Sequence, residues 1–323
     1  MSPLPDSRLL GDVGGTNARF AWQEAPGAPL QDVIALACAD YPTLEDAMRA
    51  YLARTGRGVP RRCAVGIANP VTGDLVQMTN HHWSFSIEAL RTHLGLEQFV
   101  VINDFTALAL ALPDLHGEDL RQVGGGATVP GKAIGLIGAG TGLGVSGLVP
   151  CGDHWVPLEG EGGHVALSPG NAREDAILRH QRTRFGRVSN ERGALSGQGI
   201  VALHEAICVL DGVPLAGEPT PAHIVDAALA GSDPRCVEAL QTFCGLLGAA
   251  AGDLALTLGA RGGIYIGGGI VPRLGDWLNQ STFRQRFEDK GRFAPYMQAI
   301  PVFVILASTS PALLGASHAF DRH

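Results

Sequence analysis

Two glycine-rich bends, "GDVGGTN" at 11–17 and "GAGTG" at 138–142, each lie between two apolar runs and each carry a threonine. A β-turn-β of this kind can aim several backbone N–H groups at one phosphate. Glycine suits such a bend because a side chain would block the approach. Gly14 and Gly15 are also expected to supply the φ > 0 that a tight hairpin turn uses. Thr16 and Thr141 would add hydroxyl donors, and Asp12 could hold a magnesium ion directly or through water. One bend alone would be a plain hairpin. Two of them, with the glycine run at 267–269, point to nucleotide binding.

Carboxylates supply the second kind of chemistry. In "INDF" (102–105), Asp104 falls at the end of an apolar run and the start of a helical one. It could accept the proton of an alcohol, help worth roughly 10²–10⁴ in rate, or it could cap the helix. The residues alone leave both open. Asn103 both donates and accepts, which suits a hydroxyl ligand. Glu161 and His164 in "EGEGGH" and Glu191 in "NERG" offer acceptors for an uncharged polyol. Solvated loop groups, or metal ligation by Glu159, Glu161 and His164, are the rival readings.

Two other glycine patterns fail on context. Gly126–Lys132 has the spacing of a P-loop, but Ala133 replaces the required Ser or Thr and a strand follows where a helix should. Gly142–Gly147 spells G-x-G-x-x-G inside an apparent strand.

The elements that would position these groups follow from periodicity. Strands are expected at 8–13 and 17–23 around the first bend, at 63–68, 74–80 and 99–102, at 133–137 and 143–149 around the second, and at 301–306, while 262–274 reads as a strand, a glycine turn and the start of a helix. Helices are expected at 43–54, where Thr43 and Asp46 resemble a capping box, and at 86–94, 105–112, 196–210, 234–259 and 310–320. The last should pack back onto the first domain. Residues 113–131, polar and glycine-rich, read as a domain boundary. The similarity of the two bends suggests an internal duplication. His81 and His82 read as surface groups and Trp83 as core.

Length and composition bound the answer. The chain has 323 residues, enough for two domains. Hydrophobic residues make up 46 % and charged residues 17 %, as in a soluble globular protein, and the net charge of −7 argues against nucleic acid as partner. The six cysteines, Cys38, Cys63, Cys151, Cys208, Cys236 and Cys244, lack C-x-x-C spacing. They read as buried free thiols in a reducing cytoplasm, neither a disulfide framework nor a zinc site. No signal peptide is expected, and 245–260, which contains Asp253, reads as a buried helix rather than a membrane span.

Taken in order, "GDVGGTNARFA", "TNHHWSFS", "VVINDFTALALALP", "GAGTGLGVS", "EGEGGHVALSP", "ERGALSGQGIV" and "GGIYIGGGIVPRL" resemble bacterial glucokinase, within the hexokinase and actin-like ATPase superfamily. The resemblance runs from about residue 9 to 275. It implies an α/β chain with a two-domain actin-like ATPase (ribonuclease H-like) fold, mixed sheets flanked by helices and an active site in the interdomain cleft. Residues 1–113 with 307–323 would form the smaller domain, and 114–306 the larger.

The implied activity is ATP-dependent phosphorylation of glucose at the 6-hydroxyl, with Asp104 as the catalytic base. Asn103, Asp104, Glu161, His164 and Glu191 would hold the sugar. Gly11, Asp12, Gly14, Gly15, Thr16, Asn17, Gly140, Thr141, Gly142, Gly268 and Gly269 would hold ATP, and Asp12 a Mg²⁺ ion. A cytoplasmic homodimer with no membrane or nucleic-acid partner is implied as well. A kinase for another hexose or amino sugar, a non-catalytic sugar sensor and an actin-like polymer are the alternatives. The absence of a cysteine-rich loop after His164 disfavours the zinc-containing sugar kinases and their repressor relatives.

Overall fold

The computed structural model describes residues 6–215, 217–307 and 310–322. The chain divides into two compact units: residues up to His116 with Trp155–Glu159 and Ala307–His323, and Gly117–His154 with Gly160–Leu306.

The first unit is built on five strands, β1 (Arg8–Val13), β2 (Asn17–Gln23), β3 (Gln31–Ala37), β4 (Arg62–Ile67) and β7 (Gln98–Asn103), in the order β3-β2-β1-β4-β7. A separate ribbon pairs β5 (Leu75–Gln77) with β6 (Ser84–Ser86). In the main sheet β1, β2 and β3 run antiparallel in sequence, while β4 and β7 run parallel to β1. Alternation along β1 sends Leu9 and Val13 into a core with Phe20, Met48, Tyr51 and Trp83. Gly66, on β4 beside β7, has its open side against Ala107 on the opposite face.

That face carries the helices Asp104–Ala111 and Pro311–His318, which pack tightly. A Cβ on Gly315 would fall 1.6 Å from the Ala107 carbonyl oxygen, so the approach is possible only for glycine. Arg8 donates to the Ser317 carbonyl at 3.1 Å and fixes the same helix to β1. The C-terminal helix therefore packs within the first unit.

The second sheet contains β8 (Leu120–Val123), β9 (Ile134–Ala139), β10 (Leu143–Cys151), β11 (His154–Gly160), β12 (Ile264–Gly267) and β13 (Val302–Ile305), in the order β11-β10-β9-β12-β13-β8. Both sheets thus place an ordered run of three consecutive strands beside two later strands parallel to the first. This shared plan agrees with the duplication suggested by the two bends. The helix Pro234–Leu258 is long and apolar enough to cross a membrane, yet it is a core helix. Phe243, Cys244, Leu247 and Ala251 are fully buried, and Gly248 lies against the Phe283 carbonyl.

Several sequence-based expectations need correction. Residues 113–131 are not wholly a linker, because β8 lies within them and pairs antiparallel with β13. β3 and β11 were not anticipated; both are mostly exposed, with one buried residue each (Leu36 and Pro157), and give little apolar signal. The strand expected at 74–80 shrinks to Leu75–Gln77. Helix starts fared better: Thr43 caps Leu44–Thr55 by accepting from Asp46 N at 3.1 Å, and Ser86 caps Ile87–Leu94 in the same way.

Candidate active site

In the first unit, β1, β4 and β7 end side by side. Asp12 pairs with Gly66, and Ile67 with Asn103. The end of β1 thus carries Asp12, and the end of β7 leads straight into Asn103 and Asp104. The N-cap of the following helix is Asn103, not Asp104. Asn103 Oδ1 accepts from the N–H groups of Phe105 and Thr106 at 2.9 and 3.2 Å. Its amide nitrogen reaches the Asn69 carbonyl at 3.5 Å. The cap is therefore filled by a neutral side chain. Asp104 Oδ1 still accepts from Phe105 N at 2.9 Å.

Burial pushes the Asp104 carboxyl up to about 6, with the Asp12 charge adding to the rise and backbone N–H donors opposing it. A carboxylate so tuned is ionised at neutral pH yet basic enough to take a proton. Asp12 is held from two sides. Ser310 Oγ donates to its Oδ2 at 2.6 Å, and an Arg19 guanidinium nitrogen lies 3.5 Å from the same oxygen. Sequence reasoning missed Ser310, which is 298 positions away and outside every motif.

The first bend is closed by Gly14 N donating to Asn17 O at 2.9 Å. Neither Gly14 nor Gly15 has positive φ, which corrects the expected turn geometry. Glycine is needed at 15 for clearance, since a Cβ there would sit 2.9 Å from the Asn80 carbonyl oxygen. Cys38 straps the bend from the end of β3: its N–H donates to Thr16 O and its thiol to Gly14 O. Thr16 and Asn17 are exposed, as phosphate contacts would have to be; Gly11 is buried beside Val65 and Phe20 and acts through packing.

The second unit repeats the device. Gly140 N donates to Gly142 O at 2.8 Å, closing the bend between β9 and β10, and Thr141 is exposed at its tip. Beside it, Gly268 has φ of 81° and would put a Cβ 2.3 Å from the Ala139 carbonyl oxygen. Gly268 and Gly269 are exposed and follow β12, which pairs with β9, the strand that leads into the second bend. Glu191 joins this group. Its Oε2 accepts the Leu143 N–H at 2.8 Å, at the foot of the bend.

Glu161 and His164 are exposed on a short turn after β11. The turn is tied to the Glu191 segment: Asn190 N donates to Val165 O at 2.8 Å, and Arg187 donates to His164 O at 2.6 Å. The second unit therefore gathers Gly140–Gly142, Glu161, His164 and Glu191 into one neighbourhood. The first gathers Gly11–Asn17, Asn103 and Asp104 into another. His81 is half-buried and His82 exposed, while Trp83 is core and donates to Tyr41 O at 2.9 Å.

The model of the family described as Glucokinase matches residues 9–323. The chain belongs to the glucokinase family. It is 58 % identical over 322 residues to a glucokinase of Chromobacterium violaceum, covering 99 % of this chain and 91 % of that one. A glucokinase of Aromatoleum aromaticum is 57 % identical over 317 residues, covering 98 % and 95 %. Among solved structures, a glucokinase from an Antarctic psychrotroph superimposes with a TM-score of 0.88 at 34 % identity, covering 98 % of this chain and 99 % of that chain. The fold is that of the two-domain actin-like ATPases, mixed sheets flanked by helices. Membership in the glucokinase family makes this chain an enzyme.

Proposed function

We propose that this chain transfers the γ-phosphoryl group of ATP to the 6-hydroxyl of glucose, acting in the cytoplasm as a homodimer. The observation that carries the mechanism is Asp104, a carboxyl raised to about 6 at the junction of a strand and a helix whose cap is already filled by Asn103. Its basicity is then free for a substrate proton. Asp104 accepts the proton of the 6-hydroxyl as that oxygen attacks. The Asn103 amide nitrogen donates to a neighbouring hydroxyl. Glu161 and His164, exposed on their turn, and Glu191, fixed at one oxygen, receive the remaining hydroxyls.

ATP is held by the two bends. Backbone N–H groups and the Thr16 and Thr141 hydroxyls contact phosphate oxygens, and Gly14 and Gly140 shape the bends by closing them. Gly11 keeps β1 close-packed beneath the first bend, and Asn17 is presented at its far side. Gly268 and Gly269 offer a flat surface for the purine. Asp12 suits Mg²⁺, because it is a hard carboxylate with the Ser310 hydroxyl beside it, and magnesium keeps several waters. Bound there, the ion would neutralise phosphate charge. Positioning and electrostatics supply most of the rate in such transfers.

The test is ADP production by the purified chain with glucose, mannose, fructose, an amino sugar or no sugar. Glucose should give the highest kcat/KM. A higher value with another hexose would move the assignment to that sugar, and sugar binding without ADP production would make the chain a sensor.

A further inference from the structure

Away from these residues, in the second unit, His204, Asp233 and Cys236 bring one ligand atom each to within 4.8 Å of one another. His204 lies in the helix Gly197–Leu210, and Asp233 and Cys236 form the N-cap and first turn of Pro234–Leu258. A second observation makes this more than proximity. His204 is 7 % exposed, and its Nδ1 is buried with no hydrogen-bond partner among the described residues. Its other nitrogen, Nε2, lies 3.7 Å from Cys208 Sγ, one helical turn along the same face. A buried imidazole nitrogen left unpaired is destabilising, so a ligand for it is expected.

We propose that His204, Asp233 and Cys236 form a binding site for a thiophilic divalent cation of the zinc type, with Cys208 beside the imidazole as its outer partner. The donor chemistry suits zinc: imidazole nitrogen, thiolate and carboxylate, leaving a fourth position for water. Ligand atoms on one tetrahedral zinc stand about 3–4 Å apart, so the three groups need only side-chain rotation to converge. Asp233 also accepts from the Arg235 N–H at 2.8 Å and faces its guanidinium at 3.2 Å, which holds the carboxylate in place as a supporting hydrogen-bond shell does. Binding replaces the Cys236 thiol proton by the metal and releases that proton to solvent. The ion would pin the start of Pro234–Leu258 to Gly197–Leu210.

The experiment uses the full chain, stripped with a chelator and titrated with cobalt(II) and then zinc chloride. Cobalt should give a thiolate charge-transfer absorption that zinc abolishes at one equivalent. The C236S variant should lose the band, while C151S, which removes the exposed thiol, should keep it. Absence of the band in the wild-type chain, or its survival in C236S, overturns the proposal. Should C236S fail to fold, thermal melting of the wild-type chain decides: zinc should raise the midpoint of the stripped protein, and an unchanged midpoint refutes the site.

Discussion

The Glu191 carboxylate is bonded to the backbone of Leu143, with Oε2 2.8 Å from the nitrogen. A Cβ on Gly142 would lie 2.7 Å from that same oxygen. A side chain assigned to the sugar therefore braces the bend assigned to phosphate, and disturbance at either end should be felt at the other.

That coupling predicts the behaviour of Gly142→Ala. The added methyl must displace the carboxylate or the bend, so KM should rise for both glucose and ATP, by roughly tenfold or more, as misplaced binding groups do. Steady-state kinetics with each substrate varied in turn checks it. A change confined to ATP would mean that Glu191 has no part in holding sugar.

The raised Asp104 carboxyl predicts a pH dependence of rate. Only the ionised form can take a proton, so kcat/KM for glucose should fall as pH drops through about 6. A profile flat between pH 5 and 8 would remove Asp104 as the base.

The same shift has a consequence for stability. The folded value lies above the ordinary 3.8, so protonated Asp104 favours the fold. That contribution is fully present below about pH 4 and is lost as pH rises through about 6. Asp104→Asn should then stabilise the protein at pH 8 by about 1–3 kcal/mol, and much less at pH 4. Urea melts of both proteins at the two pH values provide the measurement.

Gly315 predicts a structural effect on chemistry. A methyl there collides with the Ala107 carbonyl in the helix that begins at Asp104. Gly315→Ala should cost about 1–3 kcal/mol or more and lower kcat. A neutral outcome in thermal melting would show that the two helices can separate freely.

Asp12 gives a further expectation. Asp12→Asn keeps the shape of the Ser310 contact but removes the charge proposed to hold magnesium. The magnesium concentration for half-maximal activity should rise by roughly 10–100-fold. An unchanged magnesium dependence would place the ion elsewhere.

Much of this was legible locally. β1 and β2 could be bounded by eye because apolar runs flank a glycine bend, and Thr43 and Ser86 announced their helices through capping chemistry. What escaped depends on distant partners. β8 is a polar edge strand that exists because β13 pairs with it. Ser310 meets Asp12 only after the C-terminal helix has docked on β1. The His204–Cys236 cluster was invisible to a search for closely spaced cysteines, because its ligands come from two helices. The buried-thiol reading also fails at one position, since Cys151 is exposed while the other five are buried.

As proposed, Asp104 removes the proton from the sugar hydroxyl. The most direct measurement of that step is glucose-dependent ADP production by Asp104→Ala, with folding verified by circular dichroism. With the fold intact, kcat should fall roughly 10²–10⁴-fold or more. A folded variant turning over glucose at near wild-type rate would contradict it.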